Sequence, residues 1–496
     1  MGSRFLTMRA LAAAVVTVAL TATSGCDSKP KPTLTRAEML DPAACKDCHP
    51  KQYTEWSGSM HAYASEDPVF LAMNARGQRE TQGALGTFCV KCHAPMAVEE
   101  GSTTDGLNLV TLGAPLKNVT CYFCHAAHAV DPSMPDNNPL ILTKDNNLFG
   151  PFADAVAQTP HQATYSTLFD TERAELAAAC GTCHDIVNQH GAAIERTYKE
   201  WQGTLFAAPQ TGLTCAANSC HMALPDSGQA PASMISPERK RDLHDHSFPG
   251  VDAALTAFPE TDTQKQGIQS LLDTTLHSTL CLDATTRKIW VILDNAGAGH
   301  GFPSGATQDR RAWVEVTATL AGQVIYQSGV PPAGQTIESA PDPDLWLIRD
   351  CIFGDDGKPV NMFWQAASYH TNQLPGSVMP VVTDPTSFNK THIKRIYPGG
   401  TTTLSALPDR ISIKVHIQPI GDDVLQDLVA SGDLDATVAA QMPSFTLGNG
   451  GTLEWTSQTG TLLPGMGDLG TCVQTGTGTL RADTPHVDTS TAACMQ

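Results

Sequence analysis

The spacing of apolar and polar positions divides this chain into two unlike halves. In the second half, β-branched and aromatic residues recur in short alternating or continuous runs: Ile289–Leu293, Ala312–Val316, Val324–Tyr326 and Ile411–Ile417. Gly, Pro, Asn and Asp clusters separate them. That pattern predicts short strands joined by turns, assembled as a β-sandwich-like domain over residues 281–496. Residues 423–442 depart from it, and their spacing and Asp, Leu and Ala content predict one or two helices. A further helix is expected over Thr263–Leu280. The last 40 residues are rich in Gly and Thr and are expected to be loops.

The first half is expected to be mostly helices and loops. Its N-terminus is different. Arg4 and Arg9 precede an apolar run, Leu11–Leu20, that is too short to span a bilayer, and the combination reads as an export signal over residues 1–26. Thr23-Ser24-Gly25-Cys26 resembles a bacterial lipobox, with Cys26 as the lipidated residue. Thr23 stands where Leu is usual, and simple secretion with Cys26 as an incidental thiol is the alternative. Residues 27–40, with Lys29–Pro32, then form a tether. The expected location is the cell envelope, as a periplasmic, outer-membrane or surface lipoprotein.

The chemistry lies between residues 41 and 225. Four segments read C-x-x-C-H: Cys45-Cys48-His49, Cys89-Cys92-His93, Cys121-Cys124-His125 and Cys180-Cys183-His184. A fifth is stretched, with Cys215, Cys220 and His221. In c-type attachment two thiols bond the haem vinyl groups and the adjacent His binds iron from one face. Zinc knuckles or disulfides are the bland reading, and the repeated Cys-His adjacency weighs against them. The expectation is five covalently bound haem c groups. A domain so filled needs few aromatic residues, in keeping with a chain only 6% aromatic.

Seventeen histidines accompany only eight tyrosines. The twelve beyond the motifs are a surplus that sixth iron ligands would explain. Local context favours His61, His161, His246 and His300. His300 lies in the Gly/Pro loop Gly299–Gly305, His246 has Asp245 beside it as a partner for a ring N–H, and His61 and His161 follow Trp56 and Pro160. His128 and His190, close behind their own motifs, compete for the fifth haem. His370, His392, His416 and His486 sit in the β half and are expected to be structural, with His277 undecided. A short repeat, Tyr53-Thr54-Glu55-Trp56 and Tyr198-Lys199-Glu200-Trp201, has His61 after the first copy and Phe206 at the matching place after the second.

Fifteen cysteines include ten in motifs and Cys26. The other four, Cys281, Cys351, Cys472 and Cys494, allow three pairings as two disulfides in an oxidising compartment, of which Cys281–Cys351 with Cys472–Cys494 is the one expected. The net charge of -19 excludes a nucleic-acid partner, which would need a basic face, and argues against adsorption to an anionic membrane. Membrane contact would come only through the lipid anchor. Asp342, Asp344 and Asp350 are expected to be solvated loop charges, so no metal or paired-carboxylate site is foreseen in the β half. Residues 226–280 connect the halves. The overall class is α+β multidomain.

Several stretches together resemble the exported bacterial multihaem cytochromes c: Trp56–His61, Cys89–Pro95, Cys180–His184 with Thr197–Trp201 after it, Cys220-His221-Met222, and Gly299–Gly305. The resemblance is to tetrahaem cytochromes of ammonia oxidisers and larger respiratory cytochromes of metal reducers, and it spans roughly residues 41–330. It implies distal ligands at His61 and His300. Five motifs with one stretched depart from the pattern, and no C-x-x-C-K motif of the nitrite-reducing branch is present. The expected function is that of an electron carrier whose partners are other cytochromes, a quinol-linked donor or a terminal acceptor. The alternatives are an enzyme acting on a small nitrogen or sulfur oxyanion at an open haem, and a surface protein that binds through its β half.

Overall fold

The computed structural model describes residues 32–487, apart from 135, 156–159, 218–219, 226, 236–238, 340, 382, 384–389 and 477–482. The export signal, Cys26 and Cys494 lie outside the described residues. Among the described residues no helix is long and apolar enough to cross a membrane.

Period-two alternation builds the β half. Strands Leu276–Asp283 and Lys288–Asn295 form a hairpin flanked by His392–Tyr397 and Thr471–Gln474. In a second antiparallel sheet, Arg311–Leu320 pairs with Gln323–Ser328, Trp346–Ile348 and Arg410–Gln418. The inward residues of both sheets share one core: Leu280, Ile289, Val291 and Leu293 from the first, and Val314, Val316, Ile411, Ile413 and Val415 from the second. Burying each such side chain is worth about 1.5–3 kcal/mol.

Four expectations change. The predicted helix ends early, at Leu272, because the hydroxyls of Thr274 and Thr275 bond back to the Leu271 carbonyl. Residues from Leu276 are already strand, so the β half begins before residue 281. Second, the Gly/Thr-rich tail contains the strand Thr471–Gln474, held because Cys472 lies directly across the ladder from Cys281 and is disulfide-bonded to it. The expected pairings Cys281–Cys351 and Cys472–Cys494 are both thereby excluded, and Cys351 is itself disulfide-bonded. Third, Asp342, Asp344 and Asp350 are turned inward. Asp342 accepts from Ser328 and the Gly329 N–H, Asp344 from Tyr326 and the Gly399 N–H, and Asp350 is 1% exposed against Arg196. Finally, the end of the expected tether is folded. Thr35 caps the turn Arg36–Met39, and Met39 and Leu40 pack with Met96, Tyr122 and Phe123.

The first half is built from short helices, among them Pro50–Ser57, Pro68–Glu80, Cys121–Ala126 and Thr197–Gln202, with four two-stranded ladders among the described residues. The two helices of the anomalous stretch, Asp422–Ala430 and Ala436–Ala439, reach back to it. Val424, Leu425 and Leu428 pack on Val69 and Ala72 of helix Pro68–Glu80, together with Trp364. Arg76–Asp427 and Arg79–Asp433 ion pairs frame that seam.

Candidate functional site

A helical turn explains the C-x-x-C-H spacing. Positions i, i+3 and i+4 share one helix face, so both thiols and the imidazole point the same way. The histidine N–H closes each turn on the first cysteine's carbonyl: His49 to Cys45 at 2.8 Å, His93 to Cys89 at 3.2 Å and His184 to Cys180 at 3.1 Å. The stretched motif reaches the same closure, His221 to Cys215 at 3.1 Å. None of the ten motif cysteines is paired in a disulfide. Burial pushes the Cys89 and Cys124 thiols up to about 12.

The five motif histidines share a tautomer. Each Nδ1 meets an acceptor: Ala232 O for His49, Ala64 O for His93, Phe149 O for His125, Glu195 Oε1 for His184 and Pro249 O for His221, at 2.6–2.9 Å. With Nδ1–H donating, Nε2 keeps its lone pair for a metal, the arrangement typical of ligating histidines. His161, His246 and His300 are pinned through Nδ1 in the same way, to the carbonyls of Gln162, His244 and Gly301. Asp245 does not orient His246 as expected, since its carboxylate caps the Ser247 N–H instead. Burial favours the neutral form of His61, His221 and His246: it takes His61 down to about 3 and the other two to about 4, with neighbouring histidines adding to the effect.

The rings then come together in pairs. His49 faces His161 and His221 faces His300 with ring centres 6.3 Å apart, and His184 faces His61 at 6.5 Å. A metal–imidazole bond is about 2 Å long and the ring centre lies about 1 Å behind Nε2, so two imidazoles capping one iron stand roughly 6 Å apart. Haem therefore fits these residues. His246 lies within electrostatic reach of His125. His125 and His93 each stack on a phenylalanine, Phe169 at 5.1 Å and Phe70 at 4.0 Å; among the described residues no imidazole faces either ring in this way.

His128 and His190 are exposed, and neither stands opposite a motif ring. His392 and His416 have Nε2 engaged by Asp294 and Glu315, which fits a structural role. The repeat is a real structural echo. Trp56 and Trp201 each donate to a distant carbonyl, Val119 and Leu213, and each accepts through its own carbonyl from Ser59 or Thr204. Where the first copy supplies His61, the second packs Phe206 under Gly299, beside His300. Glu200 of that second copy accepts from the Gly301 N–H and the Ser304 hydroxyl, tying the loop of the β half to helix Thr197–Gln202. Phe70 and Glu195 belong to no motif in the sequence; Glu195 carries only the weak signal of an acid eleven residues after a motif histidine.

The motifs are also neighbours of one another. Cys45 lies beside Cys121, Cys92 beside Cys183 and Cys180 beside Cys215. Cys124 senses Cys183 electrostatically. The fourth motif thus lies beside the second and fifth and within electrostatic reach of the third, and the first lies beside the third.

A family described as cytochrome c554 and c-prime matches residues 44–126, which span the first three motifs. The crystal structure of a penta-heme cytochrome c552 from Thermochromatium tepidum has a similar fold, with a TM-score of 0.57 at 18% sequence identity. The match covers 85% of this chain and 100% of that one. No curated protein sequence matches. The family likeness is confined to the segment with the first three motifs, and the likeness to the solved structure is one of fold.

Proposed function

We propose that this chain is an exported electron carrier that binds five haem c groups and passes electrons between redox partner proteins of the cell envelope. The observation that carries this reading is the set of facing imidazoles, His49–His161, His61–His184 and His221–His300, at a spacing two ligands of one iron require. Bound there, haem c would supply one-electron redox chemistry. The protein's part is to hold position. Nδ1 hydrogen bonds fix each ring's tautomer and orientation, and the contacts among motifs bring the five sites into one branched network. His300 ties the β half to this network, since its ring faces His221 of the first half. The two sheets sharing a core support the β-sandwich-like reading of that half, as a brace or docking surface.

Intact mass of the protein produced with bacterial haem-attachment machinery tests the reading. Five covalent haem additions are expected, and loss of one addition when Cys180 and Cys183 are both changed to Ala. An unmodified chain with zinc or disulfides at the motifs would contradict it.

One observation favours a second reading, an open site at His93. Phe70 covers a face of that imidazole, and no second ring caps the opposite side of its Nε2 among the described residues. An iron held there would keep a position for a small ligand such as a nitrogen or sulfur oxyanion. The spin state of the oxidised protein separates this from pure electron transfer.

A further inference from the structure

Four of the five motif histidines donate Nδ1–H to a neutral backbone carbonyl, from Ala232, Ala64, Phe149 and Pro249. His184 alone among them donates to a carboxylate, Glu195 Oε1, at 2.9 Å. The contact is built locally. Behind the motif, strands Ile186–Val187 and Ala193–Glu195 fold back as a hairpin that pairs Ile186 with Glu195. Asn188 shapes the turn by accepting the N–H groups of His190 and Ala192. A residue eleven positions downstream is thereby returned to the ring it follows.

A carboxylate partner differs in kind from a carbonyl. Its negative charge draws the Nδ1 proton toward itself, pushes electron density into the ring and raises the basicity of Nε2. A more basic ligand stabilises the ferric over the ferrous iron, so the site becomes harder to reduce. Arg310 lies close enough to sense Glu195, but its guanidinium is already paired with Asp252. The placement matters because His184 belongs to the fourth motif, the one beside the second and fifth and within electrostatic reach of the third.

Resting on the electron-carrier reading, we propose that Glu195 is a positioning residue that sets the site at the network's junction to the lowest reduction potential of the five. Electrons would then collect on the branches and cross the junction only in passing, so the junction would govern exchange among them.

Potentiometric titration of the full-length holoprotein, monitored optically, tests this. Glu195→Gln keeps a hydrogen-bond acceptor and removes the charge. It is expected to shift the lowest-potential component upward, changing its reduced-to-oxidised ratio about tenfold at fixed potential, which is about 59 mV for one electron. Glu195→Asp should hold the wild-type potential more closely. The component is assigned with His61→Ala, which makes the iron of the same site high-spin. Glu175→Gln removes an exposed charge of the same sign and should move nothing. An unmoved lowest component, or an equal shift of all five, would overturn the role of Glu195. Absence of haem from the fourth motif by mass in the wild-type protein would instead overturn the electron-carrier reading on which it rests.

Discussion

Which nitrogen of a histidine carries the proton decides what the other can bind, and here the two uses separate cleanly. His49, His161, His221 and His300 spend Nδ1 on carbonyls and face one another in pairs, whereas His392 and His416 spend Nε2 on carboxylates and stay in the β sheets. A second residue-scale consequence concerns Asp67, which caps helix Pro68–Glu80 through the Val69 N–H. Burial, reinforced by Asp252 and opposed by its backbone hydrogen bonds, raises Asp67 to about 6. A raised carboxylate favours the protonated form in the fold. Its contribution is complete at acid pH and is lost as pH rises through about 6. Asp67→Asn preserves the cap and removes the charge. Thermal unfolding should show the variant gaining stability relative to wild type at about pH 8 and converging with it at about pH 4; the same difference at both would contradict a raised Asp67. At this scale much of the site is legible in the sequence. His61, His161 and His300 stand out by their neighbours, and the structure brings each opposite a motif ring. Which ring each meets is not legible, because the carbonyls that orient the motif rings lie up to 183 residues away.

Among the elements, the strands Lys288–Asn295, Arg311–Leu320, Gln323–Ser328 and Arg410–Gln418 are readable because one face of each is buried and period-two patterning results from that. Thr471–Gln474 is not, since a Gly/Thr-rich segment carries little apolar pattern and owes its place to Cys472. The disulfide fastens that last strand to the hairpin strand 191 residues earlier. Closing so long a loop restricts the unfolded chain, an effect typically worth about 2–4 kcal/mol. Cys281→Ala with Cys472→Ala is therefore expected to lower the unfolding free energy of the β half by roughly that amount, read by denaturant titration. A change below about 1 kcal/mol would mean that the ladder to Leu276–Asp283 holds without it. The helix expected over Thr263–Leu280 overruns its true end for a related reason. Leu276, Leu280 and Leu282 suit either period, and only the sheet they join decides between them.

On the scale of the whole molecule, the two halves are one working unit. The first half places five histidines by local turns, and the β half supplies the ring opposite His221. Helices Asp422–Ala430 and Ala436–Ala439 close over Pro68–Glu80, the helix that carries Phe70 to His93. The motifs are plain in the sequence but this interlock is not, because the residues involved lie far apart in the chain and share no pattern. Pairing is what the electron-carrying role depends on: three motif histidines have a second imidazole across from them, His125 has His246 within reach, and His93 has Phe70. Electron paramagnetic resonance of the oxidised, fully loaded protein tests it most directly. The expected spectrum has low-spin signals integrating to four irons and a high-spin signal from one that changes when cyanide is added. Two or more high-spin irons would contradict the pairing, and five low-spin irons would contradict the open site at His93.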